Sequence, residues 1–226
     1  MTELREDVAV SEREREKQAA ADAAAALVED GMHVGLGTGA TVGYLLPVLA
    51  ARGSSLSCVA TSPATEQAAR ELGLRVESFS GPGASAGLDI AIDGADQVTL
   101  SGWLVKGGGA AHTREKAVAA AADRFVVIVS SDKLVERLTP PVPLELLEFG
   151  LAATLRQLGA VELRDISRSP DGGVIADYTG EFDDPEALAG ELSATVGVVE
   201  HGLFPPALVS DLIVARGEQV EHHSYR

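Results

Sequence analysis

Residues 32–41 read MHVGLGTGAT, and this stretch sets the fold class of the chain. The apolar residues 32–36 predict a short strand, and the glycines at 37–41 predict a tight turn. Residues 42–52 then favour a helix, which Pro47 is expected to bend or end. A strand, a glycine turn and a helix in this order are typical of an α/β protein.

The same alternation continues on both sides of this stretch. A first helix is predicted from Ser11, the N-cap of a capping box with Glu14, to about residue 29, with Gly31 as its stop. Further strands are predicted at 55–60, 74–79, 88–92, 102–105 and 125–130, and further helices at 63–72 and 110–123. The pattern predicts a Rossmann-like, largely parallel sheet with helices on both faces.

Beyond Lys133 the pattern changes, starting with the rigid connection TPPVP at 139–143. A helix at 144–158, strands at 161–167 and 174–178, a helix at 184–192 and a strand at 196–201 predict a small α+β, ferredoxin-like domain over 140–204. We expect this domain to make oligomer contacts. Residues 208–215 predict a strand that returns to the main sheet, so the catalytic domain comprises 1–139 and 205–226, with 221–226 frayed.

The composition is that of a folded protein. The chain has 226 residues, of which 46% are hydrophobic, enough for a sizeable core. No apolar run reaches the ~18 residues of a membrane span, and the first 25 residues do not resemble a secretory signal, so a cytoplasmic location is predicted. The single cysteine, Cys58, lies in a predicted strand and is expected to be a core residue; it leaves no partner for an internal disulfide.

The charge is strongly acidic. A net charge of −16 disfavours nucleic acid and anionic membranes as partners. The basic residues are 14 Arg and only 4 Lys. Acid excess with scarce lysine predicts adaptation to high salt, although a GC-rich genome would also favour Ala, Arg and Gly. Retained lysines are therefore candidates for special positions.

Residues 104–116, LVKGGGAAHTREK, carry the strongest indication of chemistry. Successive glycines let backbone N–H groups turn toward an anion, and the following helix adds its N-terminal N–H groups. Lys106 before the glycines and Glu115 after them suggest a site that holds an anionic substrate and moves a proton. A plain flexible turn is the alternative.

Two other motifs favour a ligand at the same sheet edge. Residues 35–40 satisfy the dinucleotide pattern, but the acid that would hold a ribose hydroxyl is missing from the end of the second predicted strand, which disfavours NAD. Phosphate capture by this turn remains open. Asp93 and Asp96 follow a predicted strand, where two carboxylates bind Mg²⁺, hold sugar hydroxyls and shuttle protons, or simply form a solvated turn.

Taken together, these motifs resemble the ribose-5-phosphate isomerase type A family. The resemblance runs nearly end to end. It rests on GTGAT at 37–41, TSPATE at 61–66, DGAD at 93–96, KGGGA at 106–110 with REK at 114–116, FVVIV at 125–129 with Lys133, and GLF at 202–204. It implies an aldose–ketose isomerase that interconverts D-ribose 5-phosphate and D-ribulose 5-phosphate through an enediolate, in the non-oxidative pentose phosphate pathway.

The resemblance also implies roles for individual residues. Glu115 is the expected general base, Asp93 the acid that assists ring opening, Asp96 its neighbour on substrate hydroxyls, and Lys106 the oxygen-stabilising cation. The expected substrate-binding residues, with phosphate on the lysine and threonine side, are Lys17, Thr38, Gly39, Thr41, Gly107, Gly108, Gly109 and Lys133. No cofactor and no metal are implied, and the family expectation is a homodimer or homotetramer.

The chain departs from the family pattern at a few positions. Ala40 replaces a serine common in the first glycine turn, which removes one hydroxyl from the phosphate site. Gln97 replaces a glutamate, and His112 takes an apolar position, where we interpret it as a structural or rim residue and not as a catalytic one. The alternative function is a sugar-phosphate sensor domain without catalysis, which would be expected to carry a helix-turn-helix that this sequence lacks.

Overall fold

The computed structural model describes residues 2–52, 55–85 and 87–225, with side chains from residue 12 onward. The helices are α1 (Thr2–Ala25), α2 (Ala40–Ala51), α3 (Pro63–Glu71), α4 (His112–Ala121), α5 (Leu151–Leu158) and α6 (Pro185–Ala194). The strands are β1 (His33–Leu36), β2 (Ser57–Ala60), β3 (Arg75–Val76), β4 (Leu88–Asp93), β5 (Gln97–Val98), β6 (Leu104–Val105), β7 (Ala122–Ser130), β8 (Val142–Leu146), β9 (Val161–Leu163), β10 (Val174–Tyr178), β11 (Val198–His201), β12 (Leu203–Phe204), β13 (Asp211–Arg216) and β14 (Gln219–Ser224).

The main sheet has seven strands in the order β14-β13-β7-β4-β1-β2-β3. Every neighbouring pair is parallel except β13 with β14. Helices cover both faces, because alternate residues of each strand point to opposite sides. In β7, Val126 and Ile128 pack toward α1 and α2, whereas Phe125 and Val127 pack toward α4. The predicted Rossmann-like, largely parallel sheet is confirmed.

A second sheet has four antiparallel strands in the order β11-β8-β10-β9. Helix α5 lies between β8 and β9 in the chain, and α6 lies between β10 and β11, so the order is β-α-β-β-α-β. This is the ferredoxin-like arrangement that the sequence predicts. The domain boundaries at 140 and 204 stay a prediction.

A third sheet of three short strands, β12-β6-β5, joins the chain after β4 to the chain after β11. Strand β6 is thus not part of the main sheet, although it lies in the strand predicted at 102–105. The next residue, Lys106, donates its N–H to the carbonyl of Gly202 at 2.8 Å. This small sheet therefore fixes the start of the glycine segment at 107–109.

Three local predictions are wrong. Helix α1 begins at Thr2, so Ser11 falls inside a helix and is not its N-cap; the side chain of Ser11 lies outside the described residues. Residues 142–146 form strand β8 rather than the start of a helix, because this fully buried strand lies between β10 and β11 in the small sheet. The chain end is not frayed at 221–224, since β14 pairs with β13 in an antiparallel hairpin.

The lone cysteine conforms to expectation, whereas Pro47 does not end its helix. Cys58 is fully buried in β2, and burial raises the pKa of its thiol to about 11. Helix α2 continues through Pro47 to Ala51 instead of ending there. No helix within the described residues is both long and apolar enough to cross a membrane.

Candidate active site

The site forms at the carboxyl edge of the main sheet, where β1 and β4 end side by side. After β1 the chain turns through 37–41, and after β4 it continues from Asp93 to Asp96. The two segments touch closely, since a Cβ built on Gly37 would lie 2.0 Å from Oδ1 of Asp93. Glycine at 37 is therefore required for the Asp93 carboxylate to lie against the turn.

Lys106 joins two carboxylates at the floor of this edge. Its Nζ lies 2.9 Å from Oδ2 of Asp93 and 3.1 Å from Oε2 of Glu115. The side chains of Lys106 and Glu115 are 3% and 4% exposed. Asp93 also accepts hydrogen bonds from the N–H groups of Thr38, at 3.2 Å, and Gly94, at 2.7 Å. The group thus carries one cation against two carboxylates, away from bulk water.

Burial sets the proton affinities of this trio. It raises the pKa of Glu115 to about 7, helped by the charge of Asp93 and opposed by that of Lys106. Burial also raises the pKa of Asp93, against the effect of Lys106 and its two backbone donors. Burial lowers the pKa of Lys106, but the charges of Asp93 and Glu115 outweigh it and leave that pKa raised. Lys106 therefore stays protonated, while Glu115 exchanges a proton near neutral pH.

A pocket of about 220 Å³ opens above this floor. It is smaller than the ~300–1,000 Å³ typical of drug-sized ligands, so it suits a small metabolite. Its lining includes all but one of the predicted site residues: Lys17, Thr38, Gly39, Thr41, Asp96, Lys106, Gly107, Gly108, Gly109, Glu115 and Lys133. The exception is Asp93, whose carboxylate is paired with Lys106 and does not line the pocket.

One end of the pocket has the features of an anion site. Helix α2 begins there at Ala40, and its N-cap Gly39, with φ of 122°, provides no side chain to cap the first turn. The first N–H groups of the helix are therefore available to an anion, aided by the helix dipole. Lys17 from α1 and Lys133 from a short 3₁₀ helix at 131–133 line the same pocket. The nearest carboxylate oxygen to Lys133 is that of Asp132, at 4.0 Å.

Another wall of the pocket is formed by the glycine segment 107–109, which adjoins the 37–41 turn, since a Cβ built on Gly109 would lie 3.5 Å from Cγ2 of Thr38. Gly107 has φ of 114°, and a Cβ there would meet the buried ring of His112 and Pro143. The N–H of Gly108 donates to Oδ2 of Asp96 at 2.8 Å, which holds that carboxylate at the pocket wall. The nest of backbone donors that the three glycines predict stays a prediction, with the N–H of Gly108 already paired to Asp96.

Two positioning contacts have no counterpart in the sequence motifs. The buried carboxylate of Glu16 accepts hydrogen bonds from the N–H and hydroxyl of Ser131 and from the N–H of Gly217. It thereby ties the helix carrying Lys17 to the segment carrying Lys133. Its position immediately before Lys17 was the only available clue. Arg164, from the small sheet, contacts the glycine segment and could not be singled out among 14 arginines.

His112 lies behind the site, as its structural interpretation requires. It is fully buried, and burial lowers its pKa to about 4, so the ring is neutral at physiological pH. Nearby, Lys116 pairs with Glu200 at 2.6 Å and faces the ring of Phe204, 5.0 Å from its centroid. Phe204 also lies 5.6 Å from Nζ of Lys106, so one aromatic ring packs against both lysines.

The geometry leaves little room for Mg²⁺ at Asp93, whose carboxylate is taken by Lys106 and backbone donors. Within the described residues no three His, Cys, Asp or Glu side chains converge as metal ligands.

Comparison with known proteins points to one family. The family described as ribose 5-phosphate isomerase A (phosphoriboisomerase A) matches residues 57–219. The ribose-5-phosphate isomerase A of Halobacterium salinarum is 43% identical over 203 residues, which cover 84% of this chain and 88% of that protein.

Solved structures agree with the sequence relatives. Ribose 5-phosphate isomerase A from Neisseria gonorrhoeae superposes with a TM-score of 0.88 at 31% identity, covering 94% of this chain and 97% of that one. A D-ribose-5-phosphate isomerase in complex with phospho-erythronic acid superposes with a TM-score of 0.85 at 32% identity, covering 92% and 97%. The matches do not favour the alternative of a non-catalytic sensor domain.

Proposed function

The chain belongs to the ribose-5-phosphate isomerase A family, and on that premise we propose how its pocket interconverts D-ribose 5-phosphate and D-ribulose 5-phosphate. The isomerisation itself is the family's activity. The observation that carries the proposed mechanism is the buried ion-pair trio, in which Lys106 joins Glu115 to Asp93 at the pocket floor.

Glu115 is the proposed general base. It takes the proton from C2 of the open-chain aldose and returns a proton to C1, while the C2 hydroxyl loses a proton and O1 gains one. The composition is unchanged and the product is the ketose. The pKa of Glu115, about 7, suits both proton transfers, because a base works best when its pKa lies near the working pH.

Lys106 and the glycine N–H groups are the proposed stabilisers of the enediolate. Negative charge develops on O1 and O2 during proton transfer, and fixed donors in a buried site stabilise it without reorganisation. Asp93 keeps Lys106 in place. The ring-opening role expected for Asp93 stays a prediction, whereas Asp96 lines the pocket and is suitably placed for substrate hydroxyls.

The N-terminus of α2, with Thr41, Lys17 and Lys133, is the proposed phosphate site. With the phosphate bound by these residues, the proposed orientation of the sugar brings C1 and C2 to Glu115, which lines the same pocket. Thr38 supports the turn, since its hydroxyl lies 2.8 Å from that of Thr61.

The direct test is NMR of ribose 5-phosphate with the purified protein in D₂O, without added cofactor. We expect conversion to ribulose 5-phosphate with deuterium appearing at C1 of the ketose. Absence of conversion would contradict the function. Conversion with no deuterium incorporation after many turnovers would contradict proton transfer by a carboxylate.

We also propose that the protein is a homo-oligomer, assembled through one end of the small sheet. Large apolar side chains are exposed there, with Phe149 94% and Val196 83% exposed, and Leu147 and Ile166 near them in the same end of the fold. Acidic copies repel each other over most of the surface, so this apolar patch, where the exposed Glu148 is paired with Arg168, is the favourable place for contact. Light scattering should show a smaller mass for Phe149→Asp than for the unchanged protein; equal masses would contradict this interface.

A cytoplasmic location and the lack of nucleic-acid or membrane partners stay predictions from composition.

A further inference from the structure

The carbonyl side of the glycine segment is held by one arginine of the small sheet. Nη1 of Arg164 donates to the carbonyl of Gly107 at 2.9 Å and to that of Gly108 at 3.3 Å. Arg164 follows β9 directly, so a residue of the ferredoxin-like unit reaches the wall of a pocket that is otherwise built on the main sheet.

The guanidinium of Arg164 is itself fixed. Its Nε lies 2.7 Å from Oδ2 of Asp177, and its Nη2 lies 2.6 Å from Oδ1 of the same carboxylate. Both side chains are about one-fifth exposed, at 18% and 19%. A two-point pair of this kind fixes the plane of the guanidinium and leaves Nη1 aimed at the glycines, which an ammonium group cannot reproduce.

Peptide planarity transmits this contact to the other side of the segment. In a trans peptide the N–H points opposite to the carbonyl of the preceding residue. Holding the carbonyls of Gly107 and Gly108 toward Arg164 therefore directs the N–H groups of Gly108 and Gly109 the other way. The N–H of Gly108 meets Asp96, whereas that of Gly109, which lines the pocket, has no acceptor within the described residues.

We infer that Arg164, held by Asp177, is a positioning residue that orients the Gly109 N–H as a donor to the enediolate oxygen. The inference rests on the proposed function, because it assigns the donor to the intermediate of that reaction. Arg164 does not touch the substrate and acts only through the two peptide groups. Replacing Arg164 should therefore weaken stabilisation of the charged enediolate, which lowers kcat, and should leave phosphate binding unchanged.

The test compares Arg164→Lys and Asp177→Asn with the unchanged protein and with Arg124→Lys as control. Arg124 forms an arginine–aspartate pair with Asp211 through a single contact of 2.6 Å, near the start of β7 and away from the pocket. For each protein we would measure kcat, KM, the melting temperature, and the binding of two unreactive probes. The probes are phospho-erythronic acid, whose carboxylate resembles the charged intermediate, and inorganic phosphate.

We expect both variants to lose about 10-fold to 100-fold in kcat, less than the ~10²–10³ typical of deleting a donor, because the glycines remain. KM and phosphate affinity should stay within about two-fold, while phospho-erythronic acid binding falls along with kcat. Arg124→Lys should keep kcat, KM and both probe affinities.

The inference is overturned if folded Arg164→Lys keeps its kcat and phospho-erythronic acid affinity, or if both probes weaken equally. Equal weakening would indicate general distortion of the pocket. Failure of the proposed function is a separate result, because the protein without any substitution would then be inactive. Probe binding by the variants is measured without turnover and does not depend on that outcome.

Discussion

The two ends of the pocket handle charge in opposite ways. At the α2 end, Lys17 and Lys133 are partly exposed, and the first turn of the helix has no capping side chain. At the pocket floor, which is the buried end of this comparison, Asp93 and Glu115 are buried and each is paired with Lys106. The proposed binding and chemistry thus have different surroundings: donors open to water suit a permanent anion, whereas a shifted pKa requires burial.

The sharpest way to break this comparison is to remove the carboxylate at the buried end. Glu115→Gln keeps the shape of the side chain but cannot accept the substrate proton. We expect kcat to fall by ~10²–10⁴, the usual contribution of a general base, with little change in phosphate binding. The measurement is steady-state kinetics together with the melting temperature.

Glu66→Gln is the matched control, since Glu66 occupies the first turn of α3 as Glu115 occupies the first turn of α4. Near-normal kcat in a folded Glu115→Gln protein would remove Glu115 as the base.

At the exposed end, Lys17→Ala and Lys133→Ala should each raise KM far more than they lower kcat. The phosphate is bound equally in the ground and transition states, so its contacts contribute uniform binding. We expect a rise in KM of roughly 10-fold for either change, as for ~1.4 kcal/mol of lost binding.

Arg137→Ala, which removes an exposed cation outside the pocket, should leave KM unchanged. A loss of kcat at unchanged KM in both lysine variants would show that the phosphate lies elsewhere.

The pH profile sharpens the comparison at the buried end. Glu115 must be ionised to act as base, so kcat/KM should fall about tenfold per pH unit below its pKa of about 7. Stability changes in the opposite sense. The folded protein binds this proton more tightly than the unfolded chain, where the ordinary value is 4.5, so the stabilisation is present below that value and lost as pH rises through 7.

The pH dependence of kcat/KM in the unchanged protein checks the expected loss of activity. The melting temperatures of the unchanged protein and of Glu115→Gln, measured against pH, check the expected change in stability. A kcat/KM that is constant from pH 5 to 8 would mean that burial does not raise this pKa in solution.

The smallest expected effect comes from salt, which should act on exposed charges only. With 34 Asp and Glu against 18 Lys and Arg, the compact state repels itself, and the Debye length falls from ~10 Å at 0.1 M to ~3 Å at 1 M. The melting temperature should rise steadily from low to molar KCl. KM should rise a few-fold as the open lysines are screened, while kcat is kept. A flat or falling melting curve would contradict adaptation to high salt.

Local chemistry in the sequence predicts most of the main sheet. The strands at β1, β4 and β7 and the helices α3 and α4 follow from apolar runs and glycine turns, because such runs have few alternatives in a parallel sheet. The small sheet is harder: 142–146 resembles the start of the helix that follows, and only burial between β10 and β11 makes it a strand. The length of α1 and the pairing of β14 likewise depend on contacts made after folding.

The candidates for chemistry could be recognised in the sequence, because lysines are scarce and the carboxylates concerned lie next to glycines at predicted strand ends or helix starts. Only the tertiary structure shows which of them lie together and how deeply they are buried. It placed Lys106 between two carboxylates and set the pKa of Glu115, since burial and charge depend on neighbours 9 to 22 residues away along the chain. It also brought Arg164 to the glycine segment across 57 residues. Such contacts have no local signature, because distance in space is independent of distance in sequence once the chain is folded.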